Sequence, residues 1–107
     1  MIARIWRGIT LKEKADDYLA YLHGTGLPDY AKTPGNRGVT VLRRDQGDHC
    51  EVMLISLWES MDAVRAFAGE NEDAAVIEPR AEELLTEYDP LVRHFDVVVR
   101  TGDTGSS

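Results

Sequence analysis

The spacing of apolar positions divides the chain into alternating short strands and amphipathic helices. Ile2, Ile5 and Trp6, closed by Gly8, predict a strand over residues 2–8. Thr10-Leu11-Lys12-Glu13 fits a capping box, and Leu11, Ala15, Tyr18, Leu19 and Leu22 then repeat at helical spacing, with Gly24 as the expected stop. Residues 25–38 carry Gly26, Pro28, Pro34, Gly35 and Gly38 and predict a long structured loop of the kind that often holds function. Val39–Arg44 and His49–Trp58 predict two antiparallel strands joined by a turn at Asp45-Gln46-Gly47-Asp48. Ser60 caps a second helix that presents Ala63, Val64 and Phe67 and ends at Gly69. After a polar break, Pro79 opens a short helix with Ala81, Leu84, Leu85 and Tyr88 on one face, stopped at Asp89-Pro90. A last strand is expected over residues 92–100, with a disordered tail over 101–107.

The order strand, helix, strand, strand, helix, strand is the ferredoxin-like βαββαβ plan: an α+β fold with a four-stranded antiparallel sheet and helices on one face. A monomer built this way exposes the other face, which should then alternate polar and apolar residues. Val52-Met53-Leu54-Ile55-Ser56-Leu57-Trp58 breaks that alternation and is apolar on both faces. Leaving such a surface wet is costly, so a second copy of the sheet is expected to cover it, giving a homodimer.

Size and charge narrow the classes. The 107 residues suit a single domain, expected over 1–100. Nineteen acidic against twelve basic residues leave a net charge of -7, which disfavours nucleic acid as a partner. The alternation of apolar and basic residues over Met1–Arg7 does not suit a signal peptide, no apolar run is long enough to span a bilayer, and Cys50 is the lone cysteine. A cytoplasmic protein with no membrane association, no disulfide and no thiolate metal cage is expected. His49-Cys50-Glu51 lacks the Pro-Cys-x-x-Cys element that a zinc deaminase requires, and no dinucleotide or serine-elbow motif is present, so no metal site and no cofactor are expected.

Several phrases carry a family resemblance over residues 1–100. Ile2-Ala3-Arg4-Ile5-Trp6-Arg7-Gly8, Pro34-Gly35-Asn36-Arg37-Gly38, Leu54 to Ala63, Phe67-Ala68-Gly69 and His94-Phe95-Asp96-Val97 follow one another in an order and spacing that resembles the antibiotic biosynthesis monooxygenase family. That resemblance implies a dimeric α+β barrel with a ligand cavity between sheet and helices. It also implies three kinds of activity: oxygenases needing neither metal nor flavin, haem degraders, and members with no assigned reaction. Two departures stand out. The haem-degrading branch has an asparagine on the first strand and a histidine on the helix after the strand-three tryptophan, where this chain has no asparagine and offers Phe67 and Ala68. Relatives are also rich in tyrosine where this chain reads Ala75-Val76-Ile77-Glu78-Pro79-Arg80.

Candidate chemistry falls on few side chains. Trp58 either stacks on an aromatic ligand at a cavity mouth or pins strand to helix in the core. His94 is a candidate general base near neutral pH, or a solvated residue on an edge strand, and is expected to share a face with Arg4 or Trp6. Arg4 is placed to clamp an anion, while Arg43 more simply pairs with surface acids. Asn36 and Arg37 form a lid or merely a tight turn. A small apolar or aromatic metabolite is the expected ligand, walled by Trp6, Trp58 and Phe67. Two functions fit: a cofactor-independent monooxygenase or related isomerase, with His94 as base and Arg4 as anion partner, or a non-catalytic ligand-binding or stress-response dimer. In the enzyme, Trp58→Ala and His94→Ala are expected to fold and dimerise but lose turnover.

Overall fold

The structure is a computed structural model that describes residues 1–101. The expected tail lies, apart from Thr101, outside the described residues.

At its centre is β1 (Ile2–Leu11), flanked on one side by β3 (His49–Trp58), with β2 (Asn36–Gln46) beyond it. All pairings are antiparallel, with Ile2 opposite Trp58 and Leu11 opposite His49. The other edge of β1 is shared by two short strands, β4 (Leu85–Tyr88) along Gly8–Thr10 and β5 (Arg93–Asp96) along Ile2–Ile5. The ferredoxin-like α+β plan therefore holds, with the expected fourth strand split in two.

The split corrects two expectations. The helix α4 (Pro79–Leu84) ends before Leu85, which turns extended because the second half of β1 still has an unpaired edge. The final strand stops at Asp96 rather than running to 100, because Asp96 pairs with Ile2 and β1 has no ladder position beyond it. Val98 and Val99 consequently stand exposed.

The first helical region also departs from its sequence signals. Thr10 is not a cap: it stays in β1 opposite Cys50, and its hydroxyl donates to the Leu84 carbonyl at 2.6 Å. A 3-10 turn, Lys12–Lys14, leads into α1 (Ala15–Tyr21), which does not stop at Gly24 but passes through a π-helical turn, Leu22–Gly26, into α2 (Leu27–Lys32). Proline in a helix removes an N–H and crowds the carbonyl four residues back. A wider turn just before Pro28 accommodates both, and the Leu27 N–H reaches back to the Leu22 carbonyl. Most of the expected loop 25–38 is thus helix or strand.

The remaining signals match the structure more closely. The hairpin turn is tighter than expected, Gln46 pairing with His49 around Gly47-Asp48, with Gly47 at φ 58°. Ser60 accepts the Ala63 N–H at 3.2 Å at the start of α3 (Met61–Ala68), which Gly69 ends at φ 86°.

Strand alternation sorts the two faces of the sheet. Arg4, Trp6, Gly8 and Thr10 of β1 and Cys50, Val52, Leu54, Ser56 and Trp58 of β3 point inward and are buried. Trp6, Val52 and Leu54 pack with Tyr18 and Leu22 and with Ala81 and Leu84 to form the core. The opposite face carries Ala3, Ile5 and Ile9 beside Met53, Ile55 and Leu57, all half-buried in the single chain, plus Leu42 and Phe95, about half exposed at 45% and 50%. Both faces of β3 are apolar, as its sequence indicates. Arg7 and Arg44 meet Glu51 on this open face, holding its carboxyl below the usual range. Among the described residues no helix is long and apolar enough to cross a membrane.

Candidate functional site

A cavity of about 50 Å³ lies between the inner face of the sheet and the α1–α2 unit, closed on a third side by Val76, Ile77 and Glu78. Its floor is Arg4, Trp6 and Leu54. Such a space takes no more than a few water-sized groups before side chains must move.

Arg4 is 3% exposed. Its Nη1 donates to the Glu72 carbonyl at 2.5 Å and lies 2.9 Å from His94 Nε2, and its Nη2 donates to the Ala74 carbonyl at 2.8 Å. These acceptors are uncharged, and no carboxylate of the described residues is within ion-pairing distance of the guanidinium. Burial pulls its pKa down, while Tyr30 and Asp73 oppose that shift. A desolvated cation without a contact anion is costly, and an anionic ligand relieves that cost.

His94 is Arg4's cross-strand partner, on the shared face expected of it. A guanidinium can only donate, so Nε2 must be the acceptor and Nδ1 carries the proton. That proton faces Asp73 Oδ1 at 3.4 Å. Burial and the Arg4 charge lower the His94 pKa, with Asp73 opposing, so the ring is neutral at pH 7. Its lone pair is engaged by Arg4, and it is not part of the cavity lining. This geometry suits a residue that positions Arg4 better than it suits a base.

Above Arg4 stands an aromatic stack. The Phe67 ring centroid is 5.8 Å from the guanidinium carbon, within cation–π range. Tyr30 stacks on Phe67 at 4.5 Å, and Trp58 lies behind, 5.2 Å from Phe67. Trp58 is fully buried, donates from Nε1 to Ser56 Oγ at 2.9 Å and does not reach the cavity; its place is the core one, pinning β3 to α3. Asn36 is also elsewhere. Its amide donates to the Leu57 carbonyl at 3.3 Å and its Oδ1 accepts from the Gly38 N–H, so it shapes the irregular start of β2. Arg37 meets Glu59 on the surface. Of the candidates, then, Arg4, Trp6 and Phe67 converge on the cavity, and His94 touches it through Arg4.

Three phenols belong to the site without any sequence signal that marks them. Tyr18, Tyr21 and Tyr30 all line the cavity. Tyr18 reads as one member of an apolar helix stripe and Tyr30 as a loop residue, until the π-turn carries the chain on into α2 and brings Tyr30 over Phe67. Residues 75–80 carry no tyrosine, and the phenols come from the opposite wall. Burial pushes all three upward, Tyr21 to about 12, and Arg4 only partly offsets this at Tyr30. Tyr21 donates to Glu78 Oε1 at 3.3 Å across the cavity mouth, where Asp29 also sits.

No protein-family model matches the chain, and no curated protein matches it. Solved structures do. A Bacillus cereus protein described as an antibiotic biosynthesis monooxygenase matches with a TM-score of 0.66 at 15% identity, over 94% of this chain and 96% of that one. The fold is that of the antibiotic biosynthesis monooxygenases. Within that monooxygenase fold, the cofactor-independent oxygenase SnoaB of Streptomyces nogalater matches at TM-score 0.60 and 17% identity, over 92% of this chain and 95% of its own. The haem degrader MhuD of Mycobacterium tuberculosis, with two haems in its active site, matches at TM-score 0.61 and 21% identity, over 95% of this chain and all of its own.

Proposed function

We propose that the chain is a cofactor-independent monooxygenase, or a related isomerase, acting on a small aromatic metabolite as a face-to-face homodimer. The carrying observation is Arg4: a buried guanidinium with no contact carboxylate, at the floor of a cavity walled by Phe67, Tyr30 and Tyr18. Such a site stabilises the anion left when an acidic phenol or enol loses its proton, and dioxygen then meets that electron-rich anion away from water. His94 and Asp73 hold the guanidinium in place, and Glu78, bonded to Tyr21, is the carboxylate available at the mouth to take the proton. SnoaB supports this chemistry by its description as a cofactor-independent oxygenase. Haem, which MhuD binds, suits the site less well, because the described lining holds no histidine and the chain has Phe67 and Ala68 where the resemblance to haem degraders implies one.

The dimer is supported by the open sheet face. Ile5 and Ile55 pair across β1 and β3 there, with Met53 and Leu57 beside them.

The alternative is a dimer that carries the same ligand without turning it over. It is favoured by the phenols, which burial drives away from neutral pH rather than toward it. Oxygen uptake decides between the two. With a panel of hydroquinones, naphthols and their carboxylated counterparts and no added metal or flavin, the chain is expected to consume dioxygen and Arg4→Ala to lose that activity. Failure to consume oxygen with any of them, while ligands still raise the melting temperature, overturns the enzyme in favour of the carrier.

A further inference from the structure

Trp6 lines the cavity floor at 5% exposure, and its indole Nε1, fully buried, has no hydrogen-bond partner among the described residues. It is the one buried side-chain nitrogen or oxygen among them left in that state. The other indole, Trp58, is satisfied by Ser56. An orphaned buried donor is destabilising, and such groups in native structures ask for an explanation. Arg4 lies two residues earlier on the same strand face, so both side chains project to the same side of the sheet. Trp6 and Arg4 thus lack the same kind of partner: Trp6 an acceptor atom, Arg4 a negative charge.

We propose that the two form a subsite for the carboxylate of an aromatic monoacid, one oxygen taken by the Trp6 indole N–H and the charge by the Arg4 guanidinium. The cavity of about 50 Å³ takes the head group as it stands, and the ring of the ligand enters among Phe67, Tyr30 and Tyr18 as those side chains part. Two donors on neighbouring side chains favour a carboxylate over a phenolate, which has a single oxygen to share. The mouth sets the charge. Asp29, bonded to Lys32 at 3.1 Å, and Glu78, bonded to Tyr21, line the same cavity, so a second negative charge at the outer end of the ligand meets repulsion. The subsite rests on the oxygenase reading for its cavity and narrows the substrate to aromatic monoacids whose carboxylate lies beside the phenol or enol that is deprotonated, so that the five N–H donors of one guanidinium face both. Ligand binding and turnover can fail separately.

The test is a titration of the ¹⁵N-labelled full chain with benzoate, the uncharged isostere benzamide, phenol and the dianion terephthalate. Two tryptophans give two indole cross-peaks, assigned with Trp6→Phe. Benzoate is expected to move the Trp6 indole N–H resonance downfield with saturation while that of Trp58 stays in place, and benzamide, phenol and terephthalate to bind at least about tenfold more weakly. Trp6→Phe keeps the ring, loses the donor and is expected to weaken benzoate about tenfold. A Trp6 resonance unmoved by benzoate, an equal response to benzamide, or unchanged affinity in Trp6→Phe overturns the subsite. Benzoate binding without oxygen uptake by any substrate leaves the subsite standing and removes the oxygenase; oxygen uptake with a silent Trp6 does the reverse.

Discussion

Arg4 and His94 are register partners on β1 and β5, and a 2.9 Å contact joins Nη1 of one to Nε2 of the other. Because the guanidinium only donates, this contact fixes the histidine as a neutral acceptor whose second nitrogen faces Asp73. The site's one buried cation is thereby oriented by a group that titrates.

The pH dependence follows. His94 has a folded pKa below its usual 6.5, so under mildly acid conditions the unfolded chain binds more protons than the folded one. The stability that His94 contributes is complete above about pH 6.5 and is lost as pH falls from there to the folded pKa. Urea denaturation at pH 7.5, 6.5 and 5.5 is expected to show that decline. His94→Gln, which keeps an acceptor for Arg4 and does not titrate, is expected to flatten it; an unchanged slope would remove His94 as its cause.

Trp6 rests on Gly8. A methyl added at Gly8 would fall 2.4 Å from Trp6 Cη2 and 2.8 Å from Cζ2, so the indole would have to leave its seat. Gly8→Ala is expected to cost about 1–3 kcal/mol of stability and to shift tryptophan emission as the ring moves. A variant as stable as the parent, with unchanged fluorescence, contradicts that packing.

Trp58 is a structural residue by its surroundings. Its complete burial and its bond to Ser56 imply that Trp58→Ala costs about 3–5 kcal/mol and Trp58→Phe about 1–3 kcal/mol. The expectation that Trp58→Ala simply loses turnover gives way to lost stability, measured by denaturant midpoint. A fully stable but inactive Trp58→Ala would restore the catalytic role.

The open sheet face gives the remaining prediction. Ile55 pairs with Ile5 there, and Ile55→Glu puts a charge into the proposed interface. Light scattering at micromolar concentration is expected to find the parent dimeric and the variant monomeric with unchanged circular dichroism. A monomeric parent ends the dimer proposal.

How much of this was readable beforehand depends on the distance over which each feature is decided. The extent of β3, the cap at Ser60, the stop at Gly69 and the turn at Gly47 depend on residues close together in the chain, and they stand in the structure much as the sequence wrote them. So does the apolar character of both faces of β3. Thr10 and Leu85 went the other way, because they are register partners on β1 and β4, more than seventy residues apart, and ladder hydrogen bonds outweigh a local cap or a helical spacing. The cavity is wholly of this second kind. Arg4 meets a histidine ninety positions away, and Tyr30 reaches Phe67 only because a π-turn carries the helix past Gly24. The sequence alone determined which residues were polar, aromatic or charged and which face of a strand each would take; the pairing of distant strands decided which of them share a site, since long-range contacts are set by backbone hydrogen-bond satisfaction and packing, not by neighbours in the chain.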